Sequence, residues 1–248
     1  MARAALPGGL IVEPAAIRPG PWQQAEVVAI WPETARAKTL RLALSVPLPR
    51  LAGQHFVVRL SAPDGYRASR SYSVASPPGE DGLIELTIER LEDGEVSSFL
   101  HDEVVVGDLL EVRGPIGGHF VWRGDCRAVL IGGGSGIVPL MSMLRMARQG
   151  AMAGSVTLVV SVREPAELYY RDELAGPEVQ IAYTRAAPPG TTRPVGRLRP
   201  EDLAGIELAG ATCFVCGPAA FCDHASALLL HTGASAQQIR VERFGPSG

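Results

Sequence analysis

Ala128-Val129-Leu130-Ile131-Gly132-Gly133-Gly134-Ser135-Gly136-Ile137-Val138-Pro139-Leu140 is the stretch whose reading decides the fold. Ala128 to Ile131 is a short apolar run of the kind that forms a buried parallel strand. Four glycines in the next five positions turn the chain sharply and expose its amides. Apolar residues recur at helical spacing from Ile137 to Gln149, with Pro139 in the first turn, where its missing N–H costs nothing. A strand, a glycine turn and a helix N-terminus together hold an anion, because free amides and the helix dipole both favour negative charge. Gly134-x-Gly136-x-x-Pro139 departs from G-x-G-x-x-G by placing proline at the third glycine, and no clear Asp or Glu ends the next strand to hold a ribose 2′-hydroxyl. The stretch alone reads as a nucleotide or phosphate site, with a purely structural glycine turn as the competing reading.

Beyond it, helix and strand alternate. Helix Leu140–Gln149 is followed by strand Val156–Ser161 and helix Ala166–Leu174. Strand Val179–Tyr183 leads to a Pro/Gly/Arg loop with a short turn near Glu201. Strand Thr212–Cys216 leads to helix Ala219–His231, and Ile239–Val241 is a last strand. Such alternation means a doubly wound parallel α/β sheet. Before it, six short strands are separated by Pro, Gly and Asp clusters: Ala25–Trp31, Thr39–Ser45, His55–Ser61, Arg70–Val74, Ile84–Ile88 and Leu109–Arg113. With one helix over Val96–Asp102 they suggest an antiparallel β-barrel or sandwich. The expected division is a mobile lead-in over 1–21, a barrel domain over 22–124 and an α/β domain over 125–248.

Composition narrows the function classes. The 248 residues carry 23 basic and 26 acidic side chains, so no nucleic-acid or anionic-membrane footprint is evident. No apolar run approaches the roughly 20 residues of a membrane span. The N-terminal stretch, with Pro7, Pro14 and Pro19, lacks a signal peptide's apolar segment. The four cysteines include Cys213 and Cys216, but strand alternation points these two to opposite faces, against a shared metal. No spacing matches an iron–sulfur cluster. The expectation is a cytoplasmic protein with reduced thiols and no metal.

Four constellations carry chemistry. Arg70-Ser71-Tyr72-Ser73 puts Arg70 and Tyr72 on one face of a barrel strand, and Ser71 and Ser73 on the other. An arginine grips a phosphate and a tyrosine offers a flat ring; an amphipathic strand with an exposed arginine is the plainer alternative. In Asp93-Gly94-Glu95-Val96-Ser97, a glycine before a helix start is either a second phosphate site or an ordinary helix capped by Asp93 or Ser97. Cys216-Gly217-Pro218 ends a parallel strand, where ligands sit in such sheets, although a buried cysteine also serves as core filler. Glu242 and Phe244 place a carboxylate and an aromatic beside the last strand's end.

Taken together, Arg-x-Tyr-Ser, Gly-x-x-Ser, Gly-Gly-Gly-Ser-Gly-Ile-x-Pro-Leu, Cys-Gly-Pro and Glu-Arg-Phe-Gly resemble the ferredoxin–NADP reductase superfamily, in the family's order and from about Trp22 to Phe244. The resemblance implies a flavin-binding barrel followed by a nicotinamide-nucleotide domain. It assigns Arg70 to the FAD pyrophosphate, Tyr72 to the isoalloxazine and Ser73 to the vicinity of flavin N5, with Ser71 in the same strand. It assigns Gly94, Val96 and Ser97 to the pyrophosphate through the helix start. Gly132, Gly133, Gly134, Ser135, Gly136 and Pro139 would hold the nicotinamide dinucleotide. Cys216 and Glu242, with Gly217 and Pro218, would flank the nicotinamide, and Phe244 would lie near the flavin. Ser73, Cys216 and Glu242 are thus the expected catalytic residues. Hydride transfer needs donor and acceptor roughly 3–3.5 Å apart in a dry pocket.

The function this implies is an NAD(P)H-dependent reductase that passes electrons from FAD to a separate redox protein. The alternatives are a reductase of free flavin or of a small molecule, and a non-catalytic FAD subunit of a larger complex. Arg59, Arg67, Arg70 and Arg90 are candidates for a basic cluster at the barrel mouth. Ser161 and Arg163 follow the second sheet strand, with Arg171 on the next helix. A hydroxyl and two cations there point to NADP rather than NAD, while Glu164 stands ready to neutralise Arg163.

Overall fold

The computed structural model describes residues 20–79, 81–150, 152 and 154–244. The lead-in expected over 1–21 falls, up to residue 19, outside them, as does the chain after Phe244.

β1 (Gln23–Thr34), β2 (Ala37–Leu44), β3 (His55–Ser61), β4 (Arg67–Ser73), β5 (Leu83–Glu89) and β6 (Leu109–Ile116) pair antiparallel in the order β4-β3-β6-β1-β2-β5. A bridge between Val74 and Leu86, with Ala75 N donating to Glu85 O at 2.8 Å, joins the two edges and closes the sheet into a barrel. Closure leaves no free edge to recruit another strand. Val27, Leu40, Leu42, Phe56, Val58, Ile84, Leu86, Ile88 and Val112 alternate inward and are fully buried. α1 (Glu95–Asp102) adds Val96 and Leu100 to the same core.

β7 (Ala128–Gly133), β8 (Val156–Val162), β9 (Val179–Tyr183), β10 (Thr212–Pro218) and β11 (Ile239–Phe244) form a parallel sheet in the order β11-β10-β7-β8-β9. Between α2 (Ile137–Gln149) and the sheet lie Leu130, Leu158, Phe214 and Cys216. Between α3 (Ala219–His231) and the opposite face lie Val129, Ile131, Val159, Cys213 and Val215. Cys213 and Cys216 therefore face opposite ways, as alternation requires. Chain direction of winding reverses between β7 and β10, and ligands of such sheets sit in the crevice at that point.

One expected element is absent. Residues 166–174 are not a helix but two 3-10 turns, Pro165–Glu167 and Arg171–Glu173. Tyr170 between them is left-handed, with φ 53° and ψ 32°. Leu168, Tyr169, Tyr170 and Leu174 are all buried, which imitates a helical stripe in the sequence. The Tyr170 amide leaves the local ladder and donates to Glu33 Oε2 of β1 at 2.9 Å. Among the described residues no helix is long and apolar enough to cross a membrane.

Candidate functional site

The barrel side is built from β4 and the start of α1. Arg70 is exposed and donates to the Ser69 carbonyl at 2.8 Å. Tyr72 is half-buried against the barrel core, and its hydroxyl is buried with no partner. Burial pushes the phenol well above its ordinary range, and the Arg70 charge works against that. An unpartnered buried hydroxyl costs about 1–3 kcal/mol, which a ligand acceptor would recover. Ser73 is buried and stands across from His55 of β3, while Ser71 is exposed across from Val57. Burial holds the His55 imidazole below its usual range.

α1 starts after Gly94 without any side-chain cap. The reading of an ordinary capped helix is therefore corrected. The Ser97 hydroxyl accepts from Leu91 N at 3.2 Å and donates to Gly94 O at 3.1 Å, so it serves the loop before the helix. Val96 is buried beneath the turn. A Cβ on Gly94 would stand 2.8 Å from Leu91 Cβ and would overlap the Ser97 hydroxyl, which explains the glycine. A lone guanidinium, uncapped amides and an orphaned phenol beside them suit a pyrophosphate joined to a flat ring, so the residues fit FAD. Of the arginines expected at the barrel mouth, Arg59 pairs with Glu111 under Trp22, Arg90 pairs with Asp102 at 2.9 Å, and Arg67 and Arg70 are exposed.

On the sheet side the glycines divide by task. Gly134 is exposed at φ +55°, with nothing within 4 Å of where a Cβ would stand. Ser135 beside it is half-buried. Gly132, Gly133 and Gly136 are buried within the protein. A Cβ on Gly136 would overlap the Cys216 carbonyl, and one on Gly133 would lie 2.6 Å from the Phe221 ring. Three glycines are set by close packing, Gly132 against the start of α2, Gly133 against Phe221 of α3 and Gly136 against β10, and Gly134 faces outward. Pro139 is the buried third residue of α2, whose N-terminus also carries no side-chain cap.

Cys216 and Glu242 are register partners across β10 and β11, as are Pro218 and Phe244, with Gly217 between. Cys216 is fully buried; burial, then the Glu242 charge, push its thiol far above its ordinary range. Burial pushes the Glu242 carboxyl up to about 7. Cys222 Sγ donates to Gly217 O at 3.3 Å, which secures the turn from below. Phe244 packs half-buried on the α2-side core. A neutral thiol and a carboxyl that titrates near 7 therefore stand together at the carboxyl end of the sheet, the kind of pairing found where a ligand's hydrogen bonds are tuned.

Ser161 is buried at the end of β8, next to Gly133. Arg163 is exposed and reaches Glu167, not Glu164, at 3.7 Å. Arg171, off any helix, donates to the Pro165 carbonyl. Arg185 is an exposed cation the sequence did not single out; its amide donates to Arg163 O at 2.9 Å, which places it beside Arg163 just past the carboxyl end of β9. Also unread were Ser142 and Arg145 of α2, which bond to the chain just past β4. Their only signal is the i, i+3 spacing of Ser142, Arg145 and Arg148 on a mostly apolar helix. No group of His, Cys, Asp or Glu suited to a metal occurs among the described residues.

A closed antiparallel barrel followed by a switch-point nucleotide sheet defines a two-domain flavoprotein of the reductase type. The model of an oxidoreductase FAD-binding domain matches residues 26–122, and that of an oxidoreductase NAD-binding domain matches 130–227. The chain is 32% identical over 242 residues to the ferredoxin–NAD(+) reductase component of the alkene monooxygenase system of Xanthobacter autotrophicus, covering 93% of this chain and 72% of that protein. It is 30% identical to the phenol hydroxylase P5 protein of Acinetobacter pittii, covering 89% of this chain and 65% of that protein. The flavohem-like FAD/NAD-binding domain of a nitric oxide dioxygenase from Vibrio cholerae shares the fold at a TM-score of 0.79 and 23% identity, over 90% of this chain and 99% of that one. The chain belongs to the ferredoxin reductase-like family, and it spans about two thirds of the length of the curated relatives it matches.

Proposed function

We propose that this chain is an NAD(P)H-dependent FAD reductase that hands electrons to a separate redox protein, such as an oxygenase, a metalloenzyme or a ferredoxin-like carrier. The observation that carries it is the uncapped start of α1 beside the exposed Arg70 and the unpartnered Tyr72 hydroxyl, a ready-made seat for a flavin dinucleotide. FAD, when bound, takes two electrons at once from reduced nicotinamide and releases them one at a time. The barrel, residues 22–124, holds it: Arg70 and the amides of Val96 and Ser97 meet the pyrophosphate, Gly94, whose own amide donates to Leu91 O at 3.1 Å, shapes the turn before them, and Tyr72 and Ser73 bound the ring. The sheet domain, residues 125–248, binds nucleotide through Gly134 and Ser135, with Gly132, Gly133, Gly136, Pro139 and Gly217 shaping the turn. Cys216 and Glu242 orient the nicotinamide, and Phe244 closes the pocket beside Pro218. The relatives named for monooxygenase and phenol hydroxylase systems support a protein acceptor for this chain too.

For the nucleotide, NADPH over NADH is the finer proposal. Arg163 is held by one exposed pair at 3.7 Å, of a kind worth about 0–1 kcal/mol, so a 2′-phosphate displaces Glu167 readily. Arg185, rather than Arg171, is the second cation.

Purified protein tests the reading directly. It should be yellow, release FAD and not FMN on denaturation, be reduced by nicotinamide nucleotide, and reduce ferricyanide or a cytochrome without reducing free flavin. Release of FMN alone, or FAD that no nucleotide reduces, refutes it.

A further inference from the structure

The two half-sites are joined by one face of α2. Ser142 Oγ donates to Ser76 O at 2.7 Å. Arg145 Nη1 donates to Ala75 O at 2.9 Å and to Glu85 Oε2 of β5 at 2.8 Å. The rest of its fork grips Glu173, through Nε at 2.8 Å and through Nη2. The other oxygen of Glu85 takes Arg41 at 2.7 Å. Beneath lies Tyr170, its ring centroid 5.0 Å from the Arg145 guanidinium and its hydroxyl bonded to Thr87 of β5. Ser142, Glu85, Thr87 and Tyr170 are buried. Burial alone would lower the Arg145 pKa, but Glu173 and Glu85 raise it, so the guanidinium stays charged.

The location gives these contacts their meaning. Ala75 and Ser76 follow Tyr72 and Ser73 with only Val74 between. Ser142 and Arg145 sit on the helix that begins at the glycine turn, and an α-helix is a stiff rod. A guanidinium is a planar fork whose donors have fixed directions, so joining Ala75, Glu85 and Glu173 fixes α2 in angle as well as in distance. Tyr170 is held in a left-handed backbone that persists only where its surroundings over-determine it.

We propose that Arg145, assisted by Ser142, is a positioning residue: it bolts α2 to the chain after β4 and so sets how the nucleotide turn and Cys216–Glu242 stand over Tyr72 and Ser73. This rests on the function proposed above. A misplacement of 1 Å between reacting partners costs about 10²-fold in rate, so a bolt that leaves both binding sites untouched still governs the chemical step.

The test uses the full chain loaded with FAD, as parent, Arg145→Lys and Ser142→Ala. Lysine keeps the charge but cannot reach all three partners. Readouts are FAD content, nucleotide affinity, the long-wavelength charge-transfer absorbance of nicotinamide on flavin, and the flavin reduction rate at saturating nucleotide. Small-angle scattering of the flavin-free proteins is a fifth readout. Arg145→Lys should keep FAD and bind nucleotide within about threefold of the parent, under 1 kcal/mol. Its charge-transfer band should weaken, its limiting rate should fall about 10²-fold, and its scattering should show a wider spread of domain separations. Ser142→Ala loses one neutral hydrogen bond, folds, and should move the same readouts in the same direction by less. A parent-like limiting rate and charge-transfer band in both variants overturn the proposal, as does a loss confined to nucleotide affinity. A parent that takes up no FAD, or is reduced by neither nucleotide, overturns the underlying reading and this one with it.

Discussion

Replacing Glu242 with Gln should make the protein more stable above neutral pH and leave it unchanged below about pH 4.5. Burial raises this carboxyl from its ordinary 4.5 to about 7 in the folded chain. Folded protein therefore holds the proton more tightly than unfolded chain does. Below 4.5 both states are protonated and burial carries no charge penalty. Between 4.5 and 7 the unfolded chain ionises first, so stability falls as pH rises. Above 7 the folded carboxyl is ionised too, and the full penalty remains. Some 2.5 pH units of difference at 1.36 kcal/mol each give about 3 kcal/mol, an upper figure because Glu242 keeps some contact with water. Glutamine keeps the shape and cannot ionise, so it escapes the penalty.

The assay is urea or thermal unfolding of flavin-free parent and Glu242→Gln from pH 4 to 8.5. Groups common to both proteins cancel in the difference, and the Cys216 thiol stays neutral throughout because it is raised far above its ordinary range. The gap should open from near zero to about 3 kcal/mol, which for a chain of this size is about 6–12 °C in Tm. In the loaded enzyme, the parent's flavin reduction rate should titrate with a midpoint near 7, and the variant's should be flat through that range. A pH-independent gap refutes the claim that burial alone perturbs this carboxyl.

Arg70→Ala should weaken FAD binding about 10- to 150-fold, the equivalent of roughly 1.5–3 kcal/mol for a charge-assisted phosphate contact; full flavin occupancy at nanomolar protein would remove Arg70 from that role. Cys216→Ala should slow flavin reduction with FAD still bound, whereas a cysteine that only fills the core would lose stability at an unchanged rate. Gly136→Ala should destabilise by about 1–3 kcal/mol or more through overpacking against β10, while Gly134→Ala meets no atom and should cost only its left-handed backbone, about 1–2 kcal/mol, in unfolding measurements of both. Arg163→Ala should raise KM for NADPH by one to two orders of magnitude, roughly 1.4–2.8 kcal/mol, and barely move that for NADH; equal losses, or a parent that prefers NADH, would show that Arg163 is only a surface charge.

The sheet domain was legible because its strands are unbroken apolar runs and its turns are punctuated by glycine. The barrel strands were placed but cut short. Pro32 reads as a breaker, yet β1 continues through it to Thr34, with Pro32 paired across from Lys38. Proline is tolerated there because β6 pairs with β1 only over Gln23–Glu26, so Pro32 has β2 alone beside it, next to a register shift. Candidate site residues that lie in one motif were found together, and Cys216 and Glu242, far apart in sequence, became partners through the adjacent pairing of β10 and β11. The task of each glycine was not legible. Gly134 and Gly136 are both glycine in the sequence, and only the position of the Cys216 carbonyl separates an outward-facing glycine from a packing one.

The misread helix is the more instructive case. Leu168, Tyr169, Tyr170 and Leu174 have helical spacing, and local propensity gives no reason to break it. What breaks it comes from elsewhere in the chain: Glu33 takes the Tyr170 amide, Thr87 takes its hydroxyl, and Arg145 covers its ring. Three partners from two barrel strands and one sheet-domain helix outweigh a helical turn worth at most a few hydrogen bonds of about 1 kcal/mol each. Local preference and global structure conflict at this point, and such conflicts gather where a fold is doing something besides folding. Tyr170 is the one non-glycine at positive φ among the described residues. It lies at the junction of barrel and sheet, beside the arginine proposed to hold them in register. The residue at which the sequence misleads is therefore one whose backbone is fixed by contacts across the barrel–sheet junction.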